Sequence, residues 1–316
     1  MPNKPLTEEQ KVRLAVLEPR LRACVRTADL RLAKEVAAEI QLLLRPSGHE
    51  TRLLKAKNWL YETALEANSL EFAKMGFLGT IKKSSTKTRL HLEAVALLAV
   101  CHLREGNLEG ARPLIENAIR YINNIKSDAR RRQFHKRLLG RLEEEGILAG
   151  LIDKTKPPLS IDKVSEETLR LVRIETAEEI LTELAKSLPP KSLNLLGEIR
   201  DVYVLGLPAP ERKFLPPPVV EEKEELGKRA SMALKRVAWR ALCSPNSEIY
   251  KAWSDGLSVV YDKKYITAAI VTAFQSISIC ITMLAASAAA LAIKLGAQTF
   301  CEIFAPASVM IDAAED

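Results

Sequence analysis

Apolar residues follow a helical pattern over most of the chain. Leucine, isoleucine, valine and alanine recur at spacings of three and four residues, which place them on one face of a helix. No stretch alternates β-branched or aromatic residues with polar ones, as a half-buried strand would. Alanine, leucine, glutamate, lysine and arginine dominate the composition, and these residues favour helices. The pattern predicts an all-α protein.

Three segments in the first half repeat one pattern of a turn followed by a helix start. Residues 28–33 read Ala-Asp-Leu-Arg-Leu-Ala, residues 68–73 read Asn-Ser-Leu-Glu-Phe-Ala, and residues 106–111 read Gly-Asn-Leu-Glu-Gly-Ala. Their aligned leucines are 40 and 38 residues apart. Each segment follows one apolar helix and precedes another. The sequence therefore predicts a helix–turn–helix unit that occurs three times.

The third unit resembles a tetratricopeptide repeat. In that family a small residue lets two helices cross closely, a glycine-led turn joins them, and alanines of the second helix pack against the first. The matching positions here are Ala99, Gly106, Asn107, Ala111 and Ala118. The resemblance covers about 11–125, and 128–146 is a candidate capping helix. It implies an array with a concave surface that binds an extended peptide or a partner helix.

The resemblance also indicates where a protein partner would bind. The first helix of each pair lines the concave surface in such arrays, so candidate partner-binding residues lie on first helices. The predicted set is Lys57, Asn58, Tyr61, His91, Val95 and His102.

Proline-rich stretches divide the rest of the chain. A Pro-Pro pair at 157–158 breaks the helical pattern and predicts the end of the array near residue 152. The expected domains are a repeat domain over 1–152, a helical middle module over 153–205, an extended and exposed proline-rich linker over 206–218, and a helical C-terminal domain over 219–316.

The C-terminal domain contains a long segment without charge. Residues 265–293 carry no charged side chain over 29 positions, whereas about 20 apolar residues cross a bilayer. Polar residues such as Thr272 and Ser287 dilute the segment. Two interpretations stay open, a membrane anchor or an alanine-rich helix buried within a bundle. Both predict one long apolar helix.

Positive charge concentrates in the first half of the chain. Residues 1–150 hold 27 Lys and Arg against 18 Asp and Glu, within a net charge of +7. The densest basic patch is Arg130, Arg131, Arg132, Lys136, Arg137 and Arg141. Such a patch can contact phosphates, but few aromatic residues accompany it. We therefore favour a solvated surface over nucleic-acid binding.

The sequence predicts no active site and no bound cofactor. It contains no glycine-rich phosphate loop, nucleophile elbow or zinc-binding motif. The five cysteines are widely spaced and odd in number, which argues against a disulfide framework and a metal site and favours a reducing compartment. The first ten residues lack the profile of a secretory signal. We expect a cytoplasmic protein that is not an enzyme.

The leading functional interpretation is an adaptor or scaffold that recruits a protein partner through its repeats, with the C-terminal segment as a candidate attachment to a membrane. One alternative is a membrane-acting effector, such as a bacterial defence or toxin component, which the N-terminal half restrains until cleavage releases it. The other alternative is a basic helical protein that binds nucleic acid. The sequence identifies neither the partner nor the oligomeric state.

Overall fold

The protein is all-helical, as the sequence pattern predicts. The computed structural model describes residues 4–215, 223–255 and 262–310, and all regular secondary structure within these ranges is helical. The chain forms two compact units. Unit 1 comprises Met1–Arg141, Asp201–Leu215 and Pro306–Asp316, and unit 2 comprises Leu142–Arg200 and Pro216–Ala305. These limits differ from the linear domain limits expected above, because stretches from the middle and the end of the chain join the first.

Unit 1 is built from three helix pairs and their continuation. Its helices are α1 (Glu8–Thr27), α2 (Leu30–Leu44), α3 (Glu50–Glu66), α4 (Leu70–Lys83), α5 (Arg89–Arg104), α6 (Leu108–Arg120), a short 3-10 helix (Ile122–Asn124), the first part of α7 (Asp128–Leu151), the end of α10 (Pro190–Gly206) and α11 (Ala209–Arg212). From α1 to α6 each helix packs on the next, and the first helices α1, α3 and α5 also pack in sequence. This arrangement is compatible with a repeat array.

Each turn within the three pairs contains a residue with a positive φ angle. Ala28, Asn68 and Gly106 all have positive φ angles, of 51°, 62° and 73°. The next residue caps the second helix, and the Asp29 and Asn107 side chains accept bonds from backbone N–H groups three residues on. The structure thus places the turns where the sequence pattern predicts them.

Small side chains let the helices of each pair approach. Ala33, Ala73 and Ala111 occupy the same position in the three second helices, and all three are fully buried. Ala99 and Ala118, which carry the family resemblance in the third pair, are also buried. An alanine at these positions leaves room for the facing helix backbone.

The expectation of an extended linker is wrong for the part of it that the structure describes, whereas the expected exposure holds for six of the ten residues in 206–215. Residues 209–212 form α11, and the side chains of Leu207 and Phe214 are buried. Cation–π contacts within unit 1 hold this part of the chain, because the guanidinium groups of Arg131 and Arg132 lie over the Phe214 ring. Residues 216–218 lie outside the described residues.

Unit 2 surrounds an alanine-rich helix with other helices. Besides parts of α7 and α10, it contains α8 (Ile161–Ile174), α9 (Ala177–Lys186), α12 (Lys223–Cys243), α13 (Glu248–Ser254), α14 (Lys263–Ser276), α15 (Thr282–Leu295) and α16 (Ala297–Ile303). Helix α15 packs against α8, α9, α12, α14 and α16. Nine consecutive side chains of α15, from Leu284 to Ala292, are buried.

The single long apolar helix predicted over 265–293 is not found. Helix α14 ends at Ser276 and α15 begins at Thr282. Ser278, between them, has a φ of 59°, and its carbonyl accepts a 2.9 Å bond from the Asp153 backbone N–H, which fixes the break. The described residues contain no single helix with the length and apolarity of a membrane span. Helices α15 and α16 taken together have the required length and apolarity, but the two are bent by 103° relative to each other.

One disulfide corrects the expectation drawn from the cysteine spacing. Cys243 at the end of α12 is bonded to Cys301 in α16, with their Cα atoms 5.4 Å apart. The two residues are 58 positions apart in the sequence, so their proximity depends on how the helices of unit 2 pack. Spacing along the chain carries no information about such a pair.

Candidate functional site

An open cavity lies in unit 1 between the first helices of the second and third pairs. Its volume is about 440 Å³, and it is lined by His49, Thr51, Arg52 and Lys55 on the α3 side and by Thr88, Arg89, Leu90 and Glu93 on the α5 side. All eight residues lie at or near the starts of α3 and α5. The cavity therefore lies on the surface formed by first helices.

The start of α5 fixes one wall of the cavity. Thr88 caps this helix, and its hydroxyl accepts a 3.3 Å bond from the backbone N–H of His91. The side-chain amide of Asn124 donates to the carbonyls of Thr86 and Thr88, both at 2.9 Å. These two bonds join the loop before α5 to the short 3-10 helix. They fix the position of the backbone from which the next cavity-lining side chains extend.

Positive charge predominates on the cavity lining. Arg52 donates two hydrogen bonds to Glu18 of α1, at 2.6 and 3.0 Å. Arg89 pairs with Glu93 one turn further along α5, at 3.3 Å. These pairs hold both guanidinium groups in place at the cavity.

Lys55 adds a third cation. Its ammonium lies 5.0 Å from the centre of the Trp59 ring. Burial, and next the positive charge of Arg89, lower the pKa of Lys55. A carboxylate that entered the cavity would relieve this repulsion, because it would place a negative charge beside two cations. The arrangement is suited to binding an acidic side chain.

Three of the predicted partner-binding residues are buried in the repeat core. The Asn58 side chain donates to the Leu90 carbonyl at 3.3 Å, which joins α3 to α5. His91 lies within hydrogen-bonding distance of the Ser84 hydroxyl, at 3.1 Å. Val95 is also buried. These residues hold the helices together and do not line the cavity.

The other three predicted residues are half-buried and are not brought together. Lys57 lies on a different face of α3 from the cavity lining. Tyr61 packs edge-on against Phe72 and Phe77 of α4. His102 lies at the end of α5, near the turn into α6. A role of these six residues in partner binding stays a prediction.

The basic patch on α7 is largely engaged in contacts within unit 1. Arg131 pairs with Glu211 at 3.2 Å, and the buried Arg141 lies 2.6 Å from Glu66. Arg137 donates to the backbone carbonyl of Met310. Of the six predicted residues, Arg132 and Lys136 are exposed and Arg130 is half-buried. The structure therefore does not present the six as one phosphate-binding face.

A buried polar cluster attaches residues 201–215 to α7. His135 is hydrogen-bonded to the Tyr203 hydroxyl at 2.9 Å, and its other ring nitrogen lies 3.5 Å from Glu211. Burial lowers the pKa of His135 although Glu211 acts in the opposite direction. The Phe214 ring stacks on the imidazole. The cluster is closed to solvent and has the properties of a structural anchor.

Comparisons with known proteins leave the chain without an assigned family. Within the described residues, no group of three or more His, Cys, Asp or Glu side chains lies close enough to hold a metal ion. No protein-family model, curated protein sequence or solved structure matches the chain.

Proposed function

We propose that the protein is a non-enzymatic adaptor whose unit 1 binds an acidic segment of a protein partner. The observation that carries the proposal is the cavity between α3 and α5, where Lys55 lies beside two arginines, Arg52 paired with Glu18 and Arg89 paired with Glu93. The cavity lies on first helices, the surface that helical repeats use for peptides.

The ion pairs at the cavity support this proposal. Because Arg52 and Arg89 are already held by carboxylates, little side-chain entropy is lost when a ligand binds. Lys55 has a pKa lowered by burial and by Arg89, so an incoming carboxylate restores part of its lost solvation. Part of the affinity is electrostatic, and binding should weaken as the salt concentration rises.

Site-specific photocrosslinking in cells tests the proposal. A photoreactive amino acid is placed at Thr51, an exposed residue of the cavity lining, and separately at Glu35, an exposed residue of α2. We expect a discrete crosslinked protein from position 51 and not from position 35. The crosslink should be lost in Lys55→Glu and kept in Lys34→Glu, which makes the same charge change on α2.

Two results would count against the proposal. One is the absence of any crosslink from position 51 in a soluble, folded full-length protein. The other is a crosslink that Lys55→Glu and Lys34→Glu reduce equally, because the interaction would then depend on the total charge and not on the cavity.

A further inference from the structure

The end of the described chain lies in unit 1 as a non-helical segment. Residues 306–310, Pro-Ala-Ser-Val-Met, follow α16 and have no regular secondary structure. Pro306 is buried, and Val309 and Met310 are only 3% and 2% exposed. Ala307 is exposed and Ser308 is half-buried, so three of the five residues of this non-helical segment are buried.

Two side chains of the helices bind this segment. The Glu62 carboxylate of α3 accepts the Ser308 hydroxyl at 2.6 Å and the Val309 backbone N–H at 2.7 Å. Arg137 of α7 donates to the Met310 carbonyl at 2.9 Å. Two of these three bonds are made to the backbone, so they recognise the conformation of the segment. The hydroxyl and the two buried apolar side chains supply the sequence preference.

The surroundings of Glu62 indicate a position that serves a ligand. The carboxyl group is fully buried, and burial raises its pKa to about 7, whereas the bonds from Ser308 and Val309 act to lower it. Glu66 raises the pKa of Glu62 further and Arg141 lowers it. A buried carboxylate is costly unless it is hydrogen-bonded, and here the segment supplies both donors.

The residues of α3 that bind this segment lie on the same face of the helix as those that line the cavity. Arg52, Lys55, Trp59, Glu62 and Glu66 are separated by three or four residues, which places all five on one face of the helix. Lys55 and Glu62 are about 10 Å apart along the axis, since each residue advances about 1.5 Å. The first half of this face lines the open cavity and the second half holds the segment.

We propose that the surface around Glu62 and Arg137 is a binding site for a short, bent, non-helical peptide in which a hydroxyl residue precedes two apolar residues. The chain's own Ser308, Val309 and Met310 occupy it, and a partner segment with the same pattern exchanges with them. The inference rests on the proposed function of unit 1 as a peptide-binding array, to which it adds a second subsite and its sequence preference.

Displacing the segment within the full-length chain tests this inference. Val309→Asp places a charge in the apolar seat and should release residues 306–310. A fluorescent peptide with the sequence of Ala305–Met310 is then titrated and followed by anisotropy. We expect a micromolar dissociation constant for Val309→Asp and binding at least tenfold weaker to the wild type, whose site is occupied. Adding Glu62→Ala to Val309→Asp should abolish binding.

The absence of peptide binding to a folded Val309→Asp protein would overturn the inference. If Val309→Asp loses its helical circular dichroism, the variant is unfolded and cannot be used. Hydrogen exchange in the wild type then tests whether the segment can leave its site. A Val309 amide that exchanges at least tenfold faster than the core amides of α3 supports a releasable segment; equal rates mean that the segment is a fixed part of unit 1. Neither result depends on crosslinking at Thr51, so the two proposals can fail separately.

Discussion

The close approach of α7 and α10 in unit 2 leaves no space for a side chain at Gly150. A methyl group added to Gly150 would lie 2.7 Å from the backbone nitrogen of Ser192 and 2.6 Å from its hydroxyl oxygen, and would collide with its Cα. Since the obstacle is largely backbone, one helix must shift in Gly150→Ala. The shift would also disturb the 3.1 Å bond from the Ser192 hydroxyl to the Ile147 carbonyl.

The expected net effect is a loss of stability. Overpacking of a close contact costs about 1–3 kcal/mol, and a weakened hydrogen bond about 1 kcal/mol. Exchanging glycine for alanine in a helix gains up to about 1 kcal/mol. Gly150→Ala should therefore destabilise unit 2 by about 1–3 kcal/mol. Gly197→Ala is the matched control, because Gly197 is exposed on α10 and an added methyl group meets nothing within 4 Å.

Urea unfolding followed by circular dichroism separates the two variants. Gly197→Ala should be more stable than the wild type by up to about 1 kcal/mol. With a denaturant dependence of about 2 kcal/mol per molar urea, the two midpoints should differ by about 0.5–2 M. Gly146→Ala should fall between them, because its methyl group meets mainly the flexible end of Ile199. Equal midpoints for Gly150→Ala and Gly197→Ala would refute the close approach.

Three further changes test other parts of the structure. Cys243→Ser removes the disulfide to Cys301, whose 58-residue separation corresponds to about 4 kcal/mol of chain entropy. A reductant should lower the melting temperature of the wild type but not that of the variant. A wild type that does not respond to reductant would contradict the disulfide. Asn107→Ala removes a side-chain cap and should cost about 1 kcal/mol in urea unfolding, whereas Ser69→Ala, at a position whose side chain makes no cap bond, should cost less. Because the pKa of Glu62 is raised in the folded protein, this carboxyl group ionises at a lower pH in the unfolded chain. The contribution of Glu62 to stability is therefore full below about pH 4.5 and is lost as the pH rises to about 7. Glu62→Gln should remove this part of the pH dependence of stability, and an unchanged pH profile would contradict the burial.

The repeat pattern could be predicted because it depends on local chemistry. A residue able to adopt a positive φ, followed by a capping residue and, four positions after the cap, by alanine, specifies a turn and a close helix pair within a few residues. The turns at Ala28, Asn68 and Gly106 satisfy this requirement. The break at Ser278 could not be predicted in this way, since its fixing partner, Asp153, is distant in the sequence.

The candidate site was only partly accessible from the sequence. The candidate cavity lies on first helices, where the sequence also placed the partner-binding residues, but the face depended on packing, and Asn58 and Val95 are buried in the core. A partial signal was present, since Arg52, Lys55 and Glu62 fall on one helical face, but Glu50 and Lys57 place charge elsewhere on the same helix. The site that holds residues 306–310 depends on a contact between Glu62 and Val309, which are 247 positions apart. No local sequence pattern predicts such a contact.

The discontinuity of unit 1 has a consequence for how the protein is made. Its first stretch, Met1–Arg141, leaves the ribosome well before Pro306–Asp316, and the sequence of unit 2 is translated between them. Domains generally begin to fold during synthesis, in order from the N-terminus. The helix pairs can therefore assemble while Glu62 and Arg137 still lack the segment that they bind in the finished molecule. During that interval these two side chains of the nascent chain lack their partners, which residues 308–310 supply once they have been translated.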